Sequence, residues 1–312
     1  MSTQEQEDIH PKSCIIANPI YDTVFKKLME NERIAKFFLS TILEQQIVSI
    51  DVRPQEFTYK DSIPDRSTED TGYSVFRIDF MATVKTGSGE HKKILIEVQK
   101  SYEEDDLMRF RNYLGEQYKK MDTVDGVELI LPITTIYVIN FNLKGIKSAC
   151  IKVDRNYIDM IGKKPVEARA AFIEKLTHNS YVIQAGRISD DRYATKLDKL
   201  LSLFEQNHFI IGKIGKTYPH PQDDEDIHLI TSVLHEMMAN PEERAKIEKE
   251  EEVLRIMKAR YGKKNKVIEK QAKTIEEQER TIKDKDKTIE ERDKTIEEMF
   301  RQIAELKRLF NK

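Results

Sequence analysis

The sequence contains little cysteine and no long apolar run. Its two cysteines, Cys14 and Cys150, are too few for a disulfide framework or a zinc site with four cysteine ligands, and they are typical of a reducing compartment. No apolar run approaches the roughly 20 residues that span a bilayer. The polar start MSTQEQEDIHPKSC lacks the basic beginning and the apolar middle of a signal peptide. We therefore expect a soluble, cytoplasmic protein with no membrane partner.

The sequence also lacks a large excess of charge of either sign. In 312 residues, 52 Lys and Arg oppose 55 Asp and Glu, so the net charge is −3. This balance excludes the strong overall cationic field of many nucleic-acid-binding proteins, so any contact with DNA must come from a local patch. The charge is uneven along the chain, because residues 15–210 have an ordinary globular composition and charged residues dominate from about residue 240.

Apolar periodicity in the first 141 residues predicts an alternation of helices and strands. Apolar residues spaced by three and four predict two helices between residues 18 and 43, separated at Asn31. Two β-rich runs around the turn TGSGEH predict a hairpin. An amphipathic helix over 105–121 and an uncharged, buried strand within 129–141 follow. This order predicts an α/β fold with a mixed sheet.

Composition also predicts how the chain is organised into segments. Residues 151–210 are expected to be mostly helical and to pack on the first half. The predicted segments are a disordered leader (1–14), a globular domain (15–210), a linker rich in Gly, Pro and charge (211–226), a helical segment (227–262) and a heptad-repeat tail (263–312).

The tail has a repeat of seven residues. Isoleucine recurs at every seventh position from Ile268 to Ile303, and Phe310 continues the series. Seven is the coiled-coil period, but the residues three positions further on are apolar only near the end of the chain. The tail is therefore either a weak coiled coil that joins copies of the chain into a homo-oligomer or a single solvated, charged helix.

The predicted hairpin carries two carboxylates on its polar positions. Asp79 lies on the first strand, and Glu97 lies on the second, two residues before Gln99. Alternation places Glu97 and Gln99 on one face of their strand. Neighbouring strands lie about 5 Å apart, so both carboxylates can reach one hard cation such as Mg²⁺. The alternative is that both acids lie on a solvated face and bind no metal.

Four segments of this chain resemble a known family when they are taken in order. YDTVFKKLM, FRIDFMATV, ILIEVQKS and RFRNYLGEQY are similar to segments of the PD-(D/E)XK nuclease family transposases, a group related to the Rpn recombination-promoting nucleases. The similarity covers about residues 15–210. It implies a restriction-endonuclease-like core, with a mixed central sheet flanked by helices, followed here by a C-terminal long helix or coiled coil. It also implies a DNA endonuclease that depends on Mg²⁺ or on another divalent cation, such as Mn²⁺ or Ca²⁺.

The resemblance also implies roles for individual residues. Asp79 and Glu97 correspond to the two metal ligands, and Asp22 matches the acidic residue of the opening D..FK motif, which is expected to complete the ligand set or hold a metal-bound water. Gln99 replaces the usual lysine. The neutral amide of Gln99 can position water or substrate only by hydrogen bonds.

The same resemblance places substrate-binding residues on the helix after the hairpin, which are Arg109, Arg111 and Tyr113. Arg109 and Tyr113 are four residues apart on one helix face, and an arginine can hold a phosphate with two hydrogen bonds. Exposed arginines on an amphipathic helix are the alternative. Because Gln99 replaces the lysine, a second function also stays open: a nuclease-fold protein that has lost catalysis and acts as a nucleic-acid-binding or oligomeric interaction module.

Overall fold

The computed structural model describes residues 14–60, 73–99, 104–189, 191–210, 214–220 and 224–310. Some side chains within these ranges fall outside the description, at residues 52–60, 73–79, 104–106, 109, 210, 257–258, 260–266, 268–269, 305 and 308–310. The elements in chain order are β1 (Cys14–Ala17), α1 (Asp22–Met29), α2 (Glu32–Leu43), β2 (Ile47–Lys60), β3 (Tyr73–Thr86), β4 (His91–Gln99), α3 (Glu104–Tyr118), β5 (Asp122–Val124), β6 (Val127–Leu129), β7 (Ile133–Ile139), β8 (Cys150–Val153), β9 (Tyr157–Asp159), β10 (Lys164–Val166), α4 (Ala171–Leu176), β11 (Asn179–Gln184), α5 (Lys196–Ser202), β12 (Phe209–Ile210), β13 (Gly215–Tyr218), α6 (Glu225–Ala239) and α7 (Pro241–Phe310).

A six-stranded mixed sheet forms the centre of the fold. Its strand order is β2-β3-β4-β7-β11-β8. Antiparallel pairs occur at both ends, whereas β4 with β7 and β7 with β11 are parallel. A parallel pair needs a crossover connection, and α3 provides it between β4 and β7. These elements confirm the predicted α/β class with a mixed sheet, the predicted hairpin and the predicted buried strand.

The two faces of the β3–β4 hairpin pack against different helices. On one face, Met81, Leu95 and Ile133 form a buried cluster with Tyr113 of α3. On the other face, Phe25 of α1 packs edge-on against Phe80, with ring centroids 6.4 Å apart. Because side chains alternate along a strand, consecutive residues of β3 and β4 enter opposite layers.

The two N-terminal helices are separated where the sequence predicts. Asn31 is the N-cap of α2, because its side-chain oxygen accepts hydrogen bonds from the backbone N–H groups of Arg33 and Ile34 at 3.1 and 3.2 Å. These two bonds satisfy amide groups that have no partner within the first turn of a helix. The predicted helix break at Asn31 is therefore confirmed.

The expectation that residues 151–210 are mostly helical is wrong. The described part of this segment contains the five strands β8 to β12, and its helices α4 and α5 are short. The largest difference is at β11, where Tyr181, Val182 and Ile183 pair in parallel with β7. Pairing with a strand more than 40 positions away is a tertiary interaction, which overrides the weak local helical pattern.

The segment predicted as a linker contributes to a second sheet. Within residues 211–226, β13 pairs with β1 and β12, in the order β1-β13-β12. Cys14, the last residue of the predicted leader, is opposite Tyr218 in this sheet, and the rest of the leader lies outside the described residues. The first and the last parts of the globular region are therefore joined by backbone hydrogen bonds.

The chain divides into two compact units, Met1–Glu251 and Glu252–Lys312. The described part of the second unit is helical and belongs to α7. In the helices that the structure describes, no segment combines the length and the apolar character needed to cross a lipid bilayer.

Candidate metal centre

Glu97 is a half-buried carboxylate in the layer between the central sheet and α3. The parallel register pairs Glu97 of β4 with Tyr137 of β7. Burial raises the pKa of the Tyr113 hydroxyl, and the charge of Glu97 raises it further. Burial likewise raises the pKa of Tyr137, and Glu97 adds to this effect. The Glu97 carboxylate therefore lies beside two phenols that stay protonated and uncharged at neutral pH.

Asp79 lies on the neighbouring strand, and its side chain falls outside the described residues. The antiparallel register pairs Phe80 with Ile96 and Met81 with Leu95. Asp79 precedes Phe80 in β3, so the same register continued by one residue places it opposite Glu97. Residues directly opposite each other in such a pair have Cβ atoms about 4.5–5.5 Å apart. The β3–β4 pairing ends at Phe80 with Ile96, one residue before this position, so the meeting of the two carboxylates stays a prediction.

Gln99 is the last residue of β4 and shares a face with Glu97. It is half-buried and pairs with Ile139 of β7. Its backbone carbonyl accepts a hydrogen bond from the Asn140 N–H at 2.9 Å, which fixes the end of the strand. The Gln99 amide and the Glu97 carboxylate therefore lie on the same face near the C-terminal end of β4.

The nearest lysine on the same strand face does not take the place of the lysine that the resemblance leads us to expect at position 99. Lys93 shares the face of Glu97, but it lies four residues away, which is about 13 Å along a strand. Its side chain is buried, forms a 2.7 Å ion pair with Asp122 and donates to the Gln117 side-chain oxygen at 3.5 Å. Lys100 lies outside the described residues.

Asp22 is the first residue of α1. Its carboxylate forms a 2.9 Å ion pair with Lys26, and its backbone N–H donates to the Glu250 carboxylate of α7 at 2.8 Å. Helix α1 packs on the face of β3 that carries Phe80, which is opposite to the face that carries Glu97. The structure thus places Asp22 at the start of a helix that packs in the other layer of the fold from Glu97.

The three substrate-binding candidates on α3 have different environments. Tyr113 is buried against the sheet, whereas Arg111 is exposed on the outer side of the helix. The side chain of Arg109 lies outside the described residues, and its position one turn before Tyr113 is on the same helix face. The structure brings Tyr113 to Glu97 and leaves Arg111 away from it.

Sequence reasoning missed two aromatic residues of this layer. Phe110 of α3 packs against Tyr137 of β7, with ring centroids 4.6 Å apart. Tyr137 carries the only phenol in the uncharged strand ITTIYVI, and this hydroxyl was the available signal. Its role at Glu97 depends on the register of β4 with β7, which local periodicity does not supply.

The groups near Glu97 fit a hard cation. Carboxylate, phenol and amide oxygens are ligands or water-holding groups of the kind that Mg²⁺ prefers, and Mg²⁺ is commonly held by one or two carboxylates and several waters. Among the residues that the structure describes, no group of three or more His, Cys, Asp or Glu is placed to hold a metal. Glu97 and Gln99 supply oxygen donors that suit such an ion, and the part of Asp79 stays a prediction because its side chain lies outside the described residues.

Comparisons of this chain with models of protein families, with curated proteins and with solved structures find no match.

Proposed function

We propose that this chain is a divalent-metal-dependent endonuclease that hydrolyses phosphodiester bonds in DNA, on a core of the restriction-endonuclease-like type. The observation that supports the proposal is the β3–β4 register, which ends at Phe80 with Ile96, one residue before the Asp79 and Glu97 that we propose to meet. The order of antiparallel hairpin, crossover helix and parallel strand supports it. The reaction class comes from the four motifs that resemble the PD-(D/E)XK nucleases.

Each residue of the layer has a chemical task in this proposal. Asp79 and Glu97 hold the cation, which when bound acidifies a water and stabilises charge on the phosphate. The amide of Gln99 orients water or a phosphate oxygen by hydrogen bonds. Arg109 binds a phosphate through its planar, two-pronged guanidinium. The phenols of Tyr113 and Tyr137 are neutral donors that line the carboxylate without competing for the cation as anions.

The second candidate function is a nuclease-fold module that binds nucleic acid without cleaving it. The observation that favours it is the burial of Lys93 in its ion pair with Asp122, which leaves the neutral Gln99 in the place of the family lysine. The two functions differ in what a carboxylate near the phosphate does. In an enzyme it holds the metal, whereas in a module it only repels the DNA.

The variant Asp79→Asn separates the two functions. In the enzyme we expect loss of metal-dependent cleavage, with an affinity for DNA that is unchanged or increased by up to about tenfold, because a negative charge near phosphate is removed. Cleavage and binding should be measured on the same preparations at one salt concentration. The matched control is Asp125→Asn in the exposed β5–β6 turn, where the backbone φ of 51° is well tolerated by asparagine. Cleavage retained by Asp79→Asn would contradict the proposal, and no cleavage by any form would favour the module.

A further inference from the structure

Helix α7 carries a row of exposed isoleucines along one side. Seven residues make nearly two full helical turns, so side chains at this spacing form one stripe. Each side chain of this isoleucine stripe is between 48% and 58% exposed. The stripe consists of Ile275, Ile282, Ile289, Ile296 and Ile303. A continuous apolar row of this kind is the a position of a heptad repeat and favours burial against another helix.

The residues on the two sides of the isoleucine stripe carry opposite charges. Three residues after each isoleucine, at position d, the central repeats carry Lys285 and Arg292. Four residues after each isoleucine, at position e, they carry Glu279, Asp286 and Asp293. Within residues 270–304, all of whose side chains are described, no ion pair joins these side chains to one another. Both edges are therefore available to a partner helix.

We propose that a second copy of this chain covers the isoleucine stripe, and that the two α7 helices form a parallel, in-register, two-stranded coiled coil. In a parallel pair, each a residue faces the a residue of the partner, so isoleucine packs on isoleucine. Each d residue faces the d residue of the partner and lies beside the partner's e position. Lys285 and Arg292 therefore meet their own copies, and the aspartates at positions 286 and 293 offset this like-charge contact. Isoleucine at a favours two strands where leucine occupies d, and Leu306 supplies that combination in the last repeat.

The antiparallel arrangement is disfavoured by the same residues. It sets a opposite d, which would bury each isoleucine against Gln278, Lys285 or Arg292. It also brings the e positions of the two helices together, so that acidic e residues would face one another. Charged residues at d reduce the stability of a coiled coil, and the charges at e contribute to the choice of orientation.

The threonines beside the isoleucine stripe can be buried in an interface that excludes water. Position g holds Thr274, Thr281, Thr288 and Thr295. The hydroxyl of each donates a hydrogen bond to the backbone carbonyl four residues earlier, at 2.9–3.0 Å. Because the hydroxyls are satisfied within the helix, the methyl groups can pack beside the isoleucines without an unsatisfied polar atom. Near the end of the helix, Met299 and Leu306 make the d position apolar as well.

The mass of the full chain in solution tests the partner. Sedimentation equilibrium at micromolar concentration should give twice the 36.6 kDa of the chain. The double variant Ile282→Ser/Ile289→Ser should raise the dissociation constant of the dimer by more than about 100-fold, since it removes two buried layers. The matched control is Lys283→Ser/Glu290→Ser, which introduces the same two serines at the outer b positions, costs at least as much helix propensity and should leave the constant within about threefold.

Cysteine cross-linking tests the direction. In a chain with Cys14→Ser and Cys150→Ser, the single variants Gln278→Cys and Met299→Cys place one thiol at a d position. These positions are about 31 Å apart along a helix, so only a parallel, in-register pair lets each thiol reach its own copy and form a disulfide-linked dimer on oxidation. Arg280→Cys, at the outer f position, should not cross-link. A monomer at all concentrations, a mass of three chains, or cross-linking at only one d position would overturn the proposal, and each result is independent of whether the chain cleaves DNA.

Discussion

The variant Glu97→Gln is expected to lose metal-dependent DNA cleavage by more than about 100-fold. Residues that only support metal ligands change metal affinity or activity by about 10–100-fold when they are replaced, so the loss of a ligand itself should exceed that range. Glutamine keeps the shape of the side chain and its place between Tyr113 and Tyr137, but it removes the negative charge that holds the cation. The measurement is the rate of supercoiled-plasmid nicking under single-turnover conditions.

The same hairpin supplies a matched control for this variant. Glu90 lies in the β3–β4 turn, has a side chain that is 67% exposed and is 3.5 Å from Lys92. Glu90→Gln makes the same chemical change away from the site, and its cleavage rate should stay within about twofold of the wild type, in line with the small worth of surface ion pairs. Equal cleavage by Glu97→Gln and the wild type would exclude Glu97 as a metal ligand.

The variant Lys216→Met is expected to lower the free energy of unfolding by about 3–5 kcal/mol, because it removes one partner of a buried ion pair. Such a loss is a large part of the 5–15 kcal/mol that typically stabilises a folded protein. Lys216 on β13 is 1% exposed, and Glu205 is fully buried. Urea denaturation, with the midpoint and the slope compared between variant and wild type, measures the change.

The geometry around Lys216 explains the size of this effect. Its ammonium donates to the backbone carbonyls of Ser202 and Glu205 at 2.9 and 3.0 Å, and lies 3.5 Å from a carboxylate oxygen of Glu205. The lysine therefore satisfies the carbonyl of the last residue of α5, which the helix itself cannot pair, and a second carbonyl three residues beyond it. A methionine fills similar volume but leaves both carbonyls and the carboxylate without that donor.

The pH dependence of stability gives a second readout of this pair. Burial tends to raise the pKa of Glu205, but hydrogen bonds from His208 and the Asn207 N–H, together with the charge of Lys216, outweigh it and lower the pKa. A carboxyl with a lowered folded-state pKa contributes stability above its unfolded pKa, about 4.3, and loses that contribution as the pH falls through the folded value. We expect this acid-dependent loss to be smaller in Lys216→Met.

An exposed lysine provides the control for both measurements. Lys152 on β8 has a side chain that is 48% exposed and forms a 3.2 Å ion pair with Asp154. Lys152→Met should change the free energy of unfolding by no more than about 0.5 kcal/mol, as is usual for surface positions. A cost below about 1 kcal/mol for Lys216→Met would contradict the account of the buried pair.

Elements that depend on local periodicity could be predicted from the sequence. The spacing of Val24, Phe25, Leu28 and Met29 defines α1, and the side chain of Asn31 separates it from α2. The hairpin could likewise be predicted from its glycine-containing turn. These features involve residues within a few positions of one another, so the sequence pattern contains the physical cause.

Elements that depend on distant pairing could not be predicted in this way. Strand β1 pairs with β13 about 200 residues later, and each strand is only four residues long, so neither has a strong pattern of its own. The Glu250 carboxylate of α7 accepts from the first N–H groups of α1, a helix end that no local side chain caps. Such contacts require the folded arrangement of remote segments.

Some residues of the candidate site could likewise be predicted from local pattern, and others depend on distant pairing. Strand alternation alone predicts that Glu97 and Gln99 share a face, and the hairpin predicts that Asp79 is near them. The phenol of Tyr137 enters only through the parallel register of β7, which depends on α3 crossing over the sheet. Asp22 was predicted as a site residue only from the family resemblance. In the structure, α1 packs on the face of the sheet opposite to that of Glu97.

Nicking of supercoiled plasmid by the purified wild-type chain is the most direct test of the proposed endonuclease. Reactions with Mg²⁺, Mn²⁺, Ca²⁺ or EDTA should be run at equal protein and salt concentrations. The account predicts open-circular and linear products with Mg²⁺ or Mn²⁺ and none with EDTA, since the cation generates the attacking water and stabilises the phosphate charge. A folded protein that yields no product with any of these cations, or equal product with EDTA, would contradict it.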